Sequence, residues 1–406
     1  MSARPIVVMK FGGTSVADDH GRSALGRRVL AALELGNAPI VVVSAMGRKG
    51  APYATDTLLG LIDGLPADAR DRDLLASAGE LISAAVIAAH LRAIGVDAVS
   101  FSGQQAGIYT DDRFGQARIT AIDPSALTEA IGAGRVPVVA GFQGMAPDGS
   151  TATLGRGGSD TTACAIGVAL EAQAVEIYTD VDGVMSADPR TCDAAGVLEV
   201  IGAEELFQMA RHGSKIVHTP AAELALGSGI DVRVRNTFSD HAGTRVADMR
   251  AYTPAGVATA VSTTGAIARF IVSIPADEGT TEHMHHQTSV YRRMAEAEVS
   301  LDMFTPIART LVFTVGEGSV SKASAVLELL GLPFHVAHGL AKVTLVGAGM
   351  HGVPGVMAAM AEYLAGAGVA ILQSADSHTT ISALILAADA EAAVAALHHG
   401  FGLDAH

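Results

Sequence analysis

Short apolar runs alternate with longer amphipathic stretches through the first 240 residues of the chain. Five runs, rich in β-branched residues, predict buried strands at Ile6–Met9, Ile40–Val43, Val136–Ala140, Val175–Tyr178 and Val232–Val234. The stretches between them predict helices over Gly21–Leu35, Ala69–Ile94, Ser125–Ile131, Asp160–Leu170 and Ala203–Gly213. This alternation predicts a three-layer αβα domain with a mainly parallel sheet. Such sheets bind ligands beyond the carboxyl ends of their strands, so the glycine-rich turns there should form the site.

The alternation stops near residue 240. Residues 239–244 have the composition of an exit loop, and two strand–helix–strand stretches follow at about Val257–Leu330 and Ala341–Phe401. Each stretch is too short for a second catalytic α/β domain and has the size of a small sensing module. We therefore predict a catalytic domain over 1–245, a linker over 246–256, and two small α+β domains over 257–335 and 336–406, between which strands can be exchanged.

The charge balance limits the partners of the protein. The 406 residues include 27 Lys and Arg against 42 Asp and Glu, a formal net charge of −15, and no basic stripe is evident. We therefore expect no nucleic-acid partner, and anion binding only where a few cations converge. Lys10 ends the short N-terminal apolar run, and long apolar stretches are lacking, so neither a signal peptide nor a membrane span is predicted. Two cysteines, Cys164 and Cys192, lack metal-ligand spacing and favour a reduced, cytoplasmic setting.

The strongest local signal is the segment Lys10–Ser15, in which a strand leads through two glycines toward a helix. Backbone N–H groups of Gly12 and Gly13 can approach phosphate oxygens because no Cβ stands in the way. Lys10 can supply a cation to a phosphoryl group in transfer. The chain has no Walker A sequence, so this is a different kind of phosphate loop. The alternative is a glycine turn beside a solvated lysine.

This segment resembles the opening motif of the aspartate kinases, which are members of the amino-acid kinase superfamily. Further segments resemble later motifs of that family in the same order: Val42–Gly47, Ala54–Asp56, Ser77–Glu80, Gly155–Thr161, Tyr178–Arg190 and Gly213–His218. Three C-terminal segments resemble the tandem ACT domains of monofunctional aspartate kinases: Gly347–Met350, Val353–Val356 and Gln373–Ile381. The resemblance covers nearly the whole chain and is nearest to the diaminopimelate-pathway isozymes.

The resemblance implies a kinase that converts ATP and L-aspartate to ADP and 4-phospho-L-aspartate, the first step toward lysine or diaminopimelate, threonine and methionine. It also implies feedback by an end-product amino acid that binds the ACT-like domains of a homodimer or higher homo-oligomer. The effector stays open among lysine, threonine, both together and meso-diaminopimelate, and the resemblance favours the last. Two other functions stay open: a kinase for glutamate, acetylglutamate, carbamate or UMP, and an inert, ligand-sensing regulatory relative.

A carboxylate substrate sets particular demands on a kinase site. It is already ionised at neutral pH, since an aspartate side chain titrates near ~3.9, so no general base is needed. The resemblance assigns catalytic roles to Lys10, Asp160 and Lys215. It assigns nucleotide contacts to Lys10, Gly12, Gly13, Ser44, Thr179, Asp180, Arg190 and Lys215. It assigns substrate contacts to Ser44, Thr55, Glu80, Arg156, Gly157, Ser159 and Asp160.

The chemistry of an amino-acid substrate fits two of these residues directly. Arg156 can grip the α-carboxylate with its fork of donors, and Glu80 can meet the ammonium group. Mg²⁺ is expected to be bridged mainly by ATP oxygens, without a metal-binding cage in the protein. Plainer alternatives exist for several residues: Asp160 as a helix N-cap, Glu80 as a solvated helix residue, Arg156 as a surface arginine and Lys215 at a helix C-terminus.

The sequence departs from the family pattern at two places. Met185 stands where many members have an aromatic residue, and a methionine can still pack on a ring face. Thr219 separates His218 from Pro220, whereas the family usually has His-Pro after the second lysine, which leaves the role of His218 open.

Two other patterns suggest chemistry that we do not predict. The segment Gly347–Gly352 satisfies the dinucleotide-binding pattern G-x-G-x-x-G, but too few residues follow it for the sheet that this pattern serves. In an ACT-like domain this turn lies where effectors bind. The tract His283–His286 and the pair His398 and His399 are predicted to be solvated rather than metal ligands.

Overall fold

The computed structural model of the chain describes residues 4–213, 228–247, 256–350 and 352–405. These residues divide into two compact units. The first unit consists of residues 4–184, 197–211 and 228–247, and the second of residues 185–196, 212–213 and 256–405. Lys215, a predicted catalytic residue, and the departure at Thr219 lie outside the described residues.

The first unit alternates strands and helices, as the apolar pattern predicts. Its strands are β1 (Ile6–Phe11), β2 (Ala38–Val43), β3 (Ala98–Phe101), β4 (Ile108–Thr110), β5 (Ile119–Ile122), β6 (Val136–Ala140), β7 (Gln143–Met145), β8 (Thr151–Thr153), β9 (Ala174–Thr179), β10 (Val200–Gly202), β11 (Asp231–Asn236) and β12 (Thr244–Ala247). Its helices are α1 (Gly13–Val16), α2 (Asp19–Glu34), α3 (Thr55–Leu59), α4 (Ala69–Ala93), α5 (Ser125–Gly132), α6 (Gly158–Ala169) and α7 (Ala203–Arg211).

The main sheet of the first unit has eight strands in the order β10-β12-β11-β9-β1-β2-β6-β3. Every neighbouring pair is parallel except β11 and β12. The predicted α/β fold with a mainly parallel sheet is therefore confirmed. A smaller sheet, β5-β4-β7-β8, lies within the same unit. Strand β1 extends two residues beyond the predicted end at Met9, so Lys10 lies inside the strand.

Helix α4 is the longest described helix of the unit and packs against strands β2, β6 and β3 of the main sheet. Asp68 caps it by accepting a hydrogen bond from the Asp71 N–H group. By length and composition the helix could span a membrane, but half of its most apolar window is buried inside the protein. Ile87 and Leu91 on its buried face belong to one core cluster with Val41 of β2. The helix thus packs as a core helix of the αβα domain.

The second unit is built on one antiparallel sheet. Its strands are β13 (Ala260–Ser273), β14 (Asp302–Ile307), β15 (Thr310–Gly316), β16 (Phe334–Val346), β17 (Gln373–Asp376) and β18 (Thr380–Leu386). Its helices are α8 (Thr281–Glu296), α9 (Val320–Leu329), α10 (Val356–Gly366) and α11 (Ala390–Gly400). The strand order is β14-β15-β13-β16-β18-β17.

The two longest strands, β13 and β16, each contribute residues to two separate hydrophobic cores. Residues 260–264 of β13 pair with 342–346 of β16, in the half of the sheet that continues to β18. Residues 267–272 pair with 334–340 and with β15. The core over the first half contains α10 and α11, and the core over the second contains α8 and α9. Residues 260–264 therefore pair within the half of the sheet that continues to β18, and the division of this unit into two small domains stays a prediction.

The short segment 185–196 lies between β9 and β10 in sequence but packs with the second unit. The Ser186 N–H group donates to the Gly196 carbonyl at 2.9 Å, and Val261 of β13 donates to the Ser186 carbonyl at 2.8 Å. Ala187 and Cys192 are buried in the core cluster that includes α10 and α11. The chain therefore leaves the first unit at Val184 and returns to it at residue 197.

Candidate active site

Three parallel strands end together at one edge of the main sheet. Phe11 of β1 lies beside Val43 of β2 and Tyr178 of β9 in the strand register. The Phe11 and Tyr178 rings stack with centroids 4.6 Å apart, which fixes the spacing at this edge. The residues that follow or end these strands are Gly12, Ser44 and Thr179. The structure therefore brings together three of the predicted nucleotide contacts.

The loops after β1 and β2 contact each other through backbone atoms. A Cβ at Gly13 would lie 2.6 Å from the Ala45 carbonyl oxygen and 2.7 Å from that of Gly47, so only glycine fits. The Gly47 N–H group donates to the Gly13 carbonyl at 3.0 Å, while Gly12 donates to the Tyr178 carbonyl at 3.3 Å. The predicted phosphate loop is thus held against the loop that follows Ser44.

Lys10 and Asp160 form an ion pair beside the glycine loop. The Lys10 ammonium lies 2.6 Å from an Asp160 carboxylate oxygen, with 13% and 9% of the two side chains exposed. Helix α6 begins at Gly158, and its N-cap is Gly157 with a left-handed φ of 67°. Asp160 is therefore not the N-cap of this helix. Its carboxylate instead pairs with Lys10, whose contact with the transferred phosphate stays a prediction.

Glu80 is buried, so the alternative that it is a solvated helix residue is wrong. It lies on α4 with 3% of its surface exposed, and one oxygen, Oε1, accepts a hydrogen bond from Ala45 N–H at 3.0 Å. The other oxygen, Oε2, has no hydrogen-bond partner among the described residues. Burial raises the pKa of Glu80 to about 7, and the Ala45 N–H group opposes that rise. A buried carboxyl with one free oxygen is suited to receive a cationic group of a ligand.

The loop that carries Thr55 passes over α4 next to Glu80. A Cβ at Gly79 would lie 2.7 Å from the Tyr53 carbonyl oxygen and from the Ala45 side chain. Both ends of the loop are therefore in contact with the helix. Thr55, the first residue of α3, follows Tyr53 by two positions and is half-buried. This packing brings the segment that leads into α3 against α4, and the contact of Thr55 with the substrate stays a prediction.

Arg156 lies on an exposed turn in front of α6. Gly155 and Gly157 on either side have φ values of 74° and 67°, which favour glycine. Ser159 is buried, and its side chain contacts Gly141, where a Cβ would lie 2.8 Å away. The Arg156 guanidinium is exposed and forms no hydrogen bond or ion pair within the ranges that the structure describes. It is available to a carboxylate ligand.

Asp180 contacts an arginine that sequence reasoning did not identify. Its carboxylate accepts a hydrogen bond from Arg48 at 2.9 Å, and both side chains are exposed. Thr179 Oγ1 lies 3.3 Å from the other Asp180 oxygen. Arg48 directly follows the Val42–Gly47 motif in sequence, but the motif gives no indication that it meets the end of β9.

Arg190, a predicted phosphate ligand, belongs to the segment 185–196 of the second unit. Its guanidinium is highly exposed and forms hydrogen bonds with the Asp188 carboxylate, the shortest at 2.5 Å. This contact holds the pKa of Asp188 below its usual range. The structure groups Arg190 with the second unit rather than with Lys10 and Asp160, so its contact with a nucleotide stays a prediction.

The prediction that His398 is solvated is wrong. His398 on α11 is fully buried, with Nε2 2.8 Å from Ser186 Oγ and Nδ1 2.7 Å from an Asp404 oxygen. Both ring nitrogens are therefore satisfied, which is the physical reason that the ring tolerates burial. His399 beside it is exposed, as predicted. His283 also departs from the prediction, since it is a buried residue of α8.

The second unit contains a cavity of about 410 Å³ at the predicted effector turn. Its lining combines apolar side chains with a few polar groups: Met350, Val353, Val356, Ser374, Asp376, Ser377 and Ile381 are among them. The cavity lies at the beginning of α10 and the end of β17. Over the described parts of the chain, no cluster of three or more His, Cys, Asp or Glu side chains is placed to hold a metal ion.

Comparison with known proteins identifies the family. A model of the amino acid kinase family matches residues 5–236, and an ACT domain model matches residues 335–399. Aspartokinase 1 of Bacillus subtilis (strain 168) is 41% identical over 405 residues, which cover 98% of this chain and 99% of that protein. The chain belongs to the amino acid kinase family and, within it, to the aspartokinases. The resemblance found in the sequence motifs is thereby confirmed.

Two solved structures of E. coli aspartokinase III are similar to nearly the whole chain. The complex with aspartate and ADP, in the R-state, has a TM-score of 0.75 and 26% identity and covers 97% of this chain and 99% of that one. The complex with lysine and aspartate, in the T-state, has a TM-score of 0.77 and 26% identity and covers 98% and 99%.

Proposed function

We propose that the enzyme transfers the γ-phosphate of ATP to the β-carboxylate of L-aspartate and forms ADP and 4-phospho-L-aspartate. The observation that carries this proposal is the buried Glu80, whose second oxygen has no hydrogen-bond donor among the described residues. An α-amino acid supplies an ammonium group for that oxygen, which the substrate of a carbamate or UMP kinase does not. The E. coli relative was solved with aspartate and ADP.

The charges of the site match the needs of this reaction. Both reactants are anionic, so the protein has to offset their repulsion without a general base. Lys10 is largely buried beside the glycine loop and is held by Asp160. We propose that Lys10 stabilises the negative charge that develops on the transferred phosphoryl group. The loop of Gly12 and Gly13 would surround the phosphates. Mg²⁺ would be held mainly by triphosphate oxygens, where it neutralises phosphate charge.

The remaining predicted contacts divide between the nucleotide and the amino acid. We assign Ser44, Thr179, Asp180, Arg190 and Lys215 to the nucleotide. We assign Thr55, Arg156, Gly157, Ser159 and the shared Ser44 and Asp160 to aspartate, together with Glu80. In this arrangement Glu80 holds the ammonium group, Arg156 holds the α-carboxylate, and the β-carboxylate attacks the γ-phosphorus in line.

The second unit is proposed to sense an end-product amino acid. The 410 Å³ cavity has room for one, and Asp376 can meet an ammonium group at its rim. The E. coli relative was solved with lysine in its T-state. We further propose a cytoplasmic homodimer in the route to diaminopimelate and lysine, threonine and methionine, with meso-diaminopimelate, lysine, threonine or the last two together as inhibitors.

An acyl-phosphate assay tests the reaction. ATP, Mg²⁺ and the protein are incubated with L-aspartate, L-glutamate or N-acetylglutamate, and the product is trapped as a hydroxamate. Turnover with aspartate as the one active acceptor supports the proposal. Turnover with glutamate or N-acetylglutamate instead would identify that compound as the substrate and refute the proposal. Folded protein that binds ATP but turns over no acceptor would instead support a regulatory relative. The inhibitor is identified by adding lysine, threonine and meso-diaminopimelate to parallel reactions.

Replacing Arg156 with lysine should raise the KM for aspartate on the order of tenfold and leave the KM for ATP unchanged. Lysine keeps the charge but loses the two-pronged contact with a carboxylate. Steady-state kinetics with each substrate varied in turn measures the effect. Arg113→Lys, an exposed arginine paired with Asp111, is the matched control. An unchanged aspartate KM would refute the assignment of Arg156 to the α-carboxylate.

Replacing Asp376 with asparagine should weaken feedback inhibition about tenfold, because a charged partner of the effector ammonium is removed. Inhibition curves with the identified effector measure the shift in the half-inhibiting concentration. Glu362→Gln on α10 is the control, since this exposed carboxylate does not line the cavity. Equal inhibition of Asp376→Asn and the parent enzyme would place the effector elsewhere.

A further inference from the structure

Asp73 is a buried carboxylate that no predicted role uses. It lies near the start of α4, seven residues before Glu80, and only 3% of its surface is exposed. Seven residues make almost two helical turns, so Asp73 and Glu80 lie on the same buried face of α4. These are the two acidic side chains between residues 72 and 96 of the sequence.

Asp73 accepts three hydrogen bonds from two other segments of the first unit. Its Oδ2 accepts from the Gly115 N–H group at 2.8 Å and from the Thr153 N–H group at 2.6 Å. Its Oδ1 accepts from Thr153 Oγ1 at 2.8 Å. All three groups donate, so the arrangement suits an ionised carboxylate. It has no ion-pair partner in the described part of the chain, so these donors alone offset its burial.

Thr153 ends β8, three residues before Arg156. The next residue, Leu154, donates its N–H to the Phe142 carbonyl at 2.9 Å, and the turn then closes with a bond from Gly158 N–H to the Gly155 carbonyl at 3.1 Å. Gly115 also approaches this turn, since a Cβ at Gly155 would lie 3.1 Å from the Gly115 carbonyl oxygen. Both partners of Asp73 therefore support the turn that carries Arg156.

We propose that Asp73 is a positioning residue that sets the distance between Glu80 and Arg156. Glu80 is part of the helix that carries Asp73, and Arg156 is part of the turn that Asp73 fixes. The inference rests on the proposed function, in which these two groups hold the ammonium and the α-carboxylate of one aspartate molecule. Because the substrate has a fixed length, a displaced turn would lose one of the two contacts.

The test is Asp73→Asn, which keeps the shape of the side chain but replaces one acceptor with a donor. The KM for aspartate should rise on the order of 10- to 100-fold, with the KM for ATP unchanged. The inhibition constant of L-aspartic acid α-amide should not change, because this analogue lacks the carboxylate that Arg156 binds. Asp71→Asn, an exposed carboxylate on the first turn of α4, is the matched control.

A second variant covers the case in which Asp73→Asn does not fold. Thr153→Val removes only the hydroxyl contact with Asp73 and should raise the aspartate KM severalfold, again without affecting the α-amide. Equal losses for aspartate, the α-amide and ATP in either folded variant would overturn the inference in favour of a purely structural role, as would unchanged constants. Absence of turnover with aspartate in the parent enzyme would instead refute the proposed function itself, and the inference with it.

Discussion

Lys10→Ala should reduce kcat by at least about 100-fold, since removing one preorganised donor at a site of developing charge costs about 3 kcal/mol. The Lys10 ammonium is held 2.6 Å from Asp160 and is largely shielded from solvent. It therefore needs little reorganisation when charge develops on the transferred group. Steady-state kcat with saturating ATP and aspartate measures the effect. A near-normal kcat in this variant would show that Lys10 does not take part in the transfer.

The same substitution leaves Asp160 buried without its cation, so stability must be separated from catalysis. Breaking a buried pair on one side typically costs about 3–5 kcal/mol. The double variant Lys10→Ala/Asp160→Asn should recover most of that loss in thermal denaturation and remain as slow in kcat. Lys49→Ala, at an exposed lysine, is the control for a simple change of charge. Recovery of kcat together with stability would show that the single variant was slow because it was poorly folded.

Glu80→Gln should raise the KM for aspartate by at least about 30-fold, because removing the charge from one side of a buried charged contact costs about 2 kcal/mol or more. The amide keeps the size of the side chain, and its oxygen can still accept from the Ala45 N–H group. The KM for ATP should be unchanged, since glutamine keeps the hydrogen bond with the Ala45 N–H group and loses only the charge that we assign to the ammonium group of aspartate. A low aspartate KM in this variant would contradict the ammonium assignment.

The pH profile gives an independent test of Glu80. Its pKa is raised to about 7 by burial, and only the ionised form attracts an ammonium group. In the parent enzyme, kcat/KM for aspartate should therefore fall about tenfold per pH unit below pH 7 and level off above it. In Glu80→Gln this limb should disappear. A parent profile that is flat between pH 5.5 and about 8 would show that the ionisation of Glu80 does not limit binding.

The sign of the stability effect follows from the same pKa shift. The folded-state pKa of about 7 lies above the ordinary value of 4.5, so the fold favours the protonated carboxyl. The contribution of Glu80 to the free energy of unfolding is fully favourable below pH 4.5 and is lost as the pH rises through about 7. Glu80→Gln should therefore be more stable than the parent by about 3 kcal/mol at pH 8 without substrate, with a smaller difference at pH 5. Thermal denaturation at the two pH values measures this.

The sequence predicts those parts of the structure that depend on local patterns. The apolar runs became strands of a mainly parallel sheet, because a strand buried on both faces needs apolar residues at every position. The glycine turn after β1 could also be predicted. The reason that Gly13 must be glycine could not be predicted. A Cβ there would collide with the Ala45 carbonyl oxygen, which belongs to another loop.

Contacts between distant segments account for what the sequence did not reveal. The three donors to Asp73 lie 42 and 80 positions away along the chain. The sequence offered one indication of the role of Asp73, which is its position seven residues before Glu80 on a mostly apolar helix. His398 was misjudged for the same reason, because one of its partners, Ser186, is 212 residues away. Without knowledge of that partner, two adjacent histidines are expected to be solvated, because an imidazole is buried only where its ring nitrogens have partners.

The segment 185–196 has a consequence for how these enzymes can recombine. A single crossover near residue 250 would exchange the C-terminal region with that of a relative, but it would leave Ser186, Ala187 and Cys192 behind. Their partners in the second unit, including His398 and the core around α11, would then come from a different protein. Two stretches that lie far apart in the gene must therefore be inherited as a matched set. Chimeras that acquire a new feedback specificity should carry both.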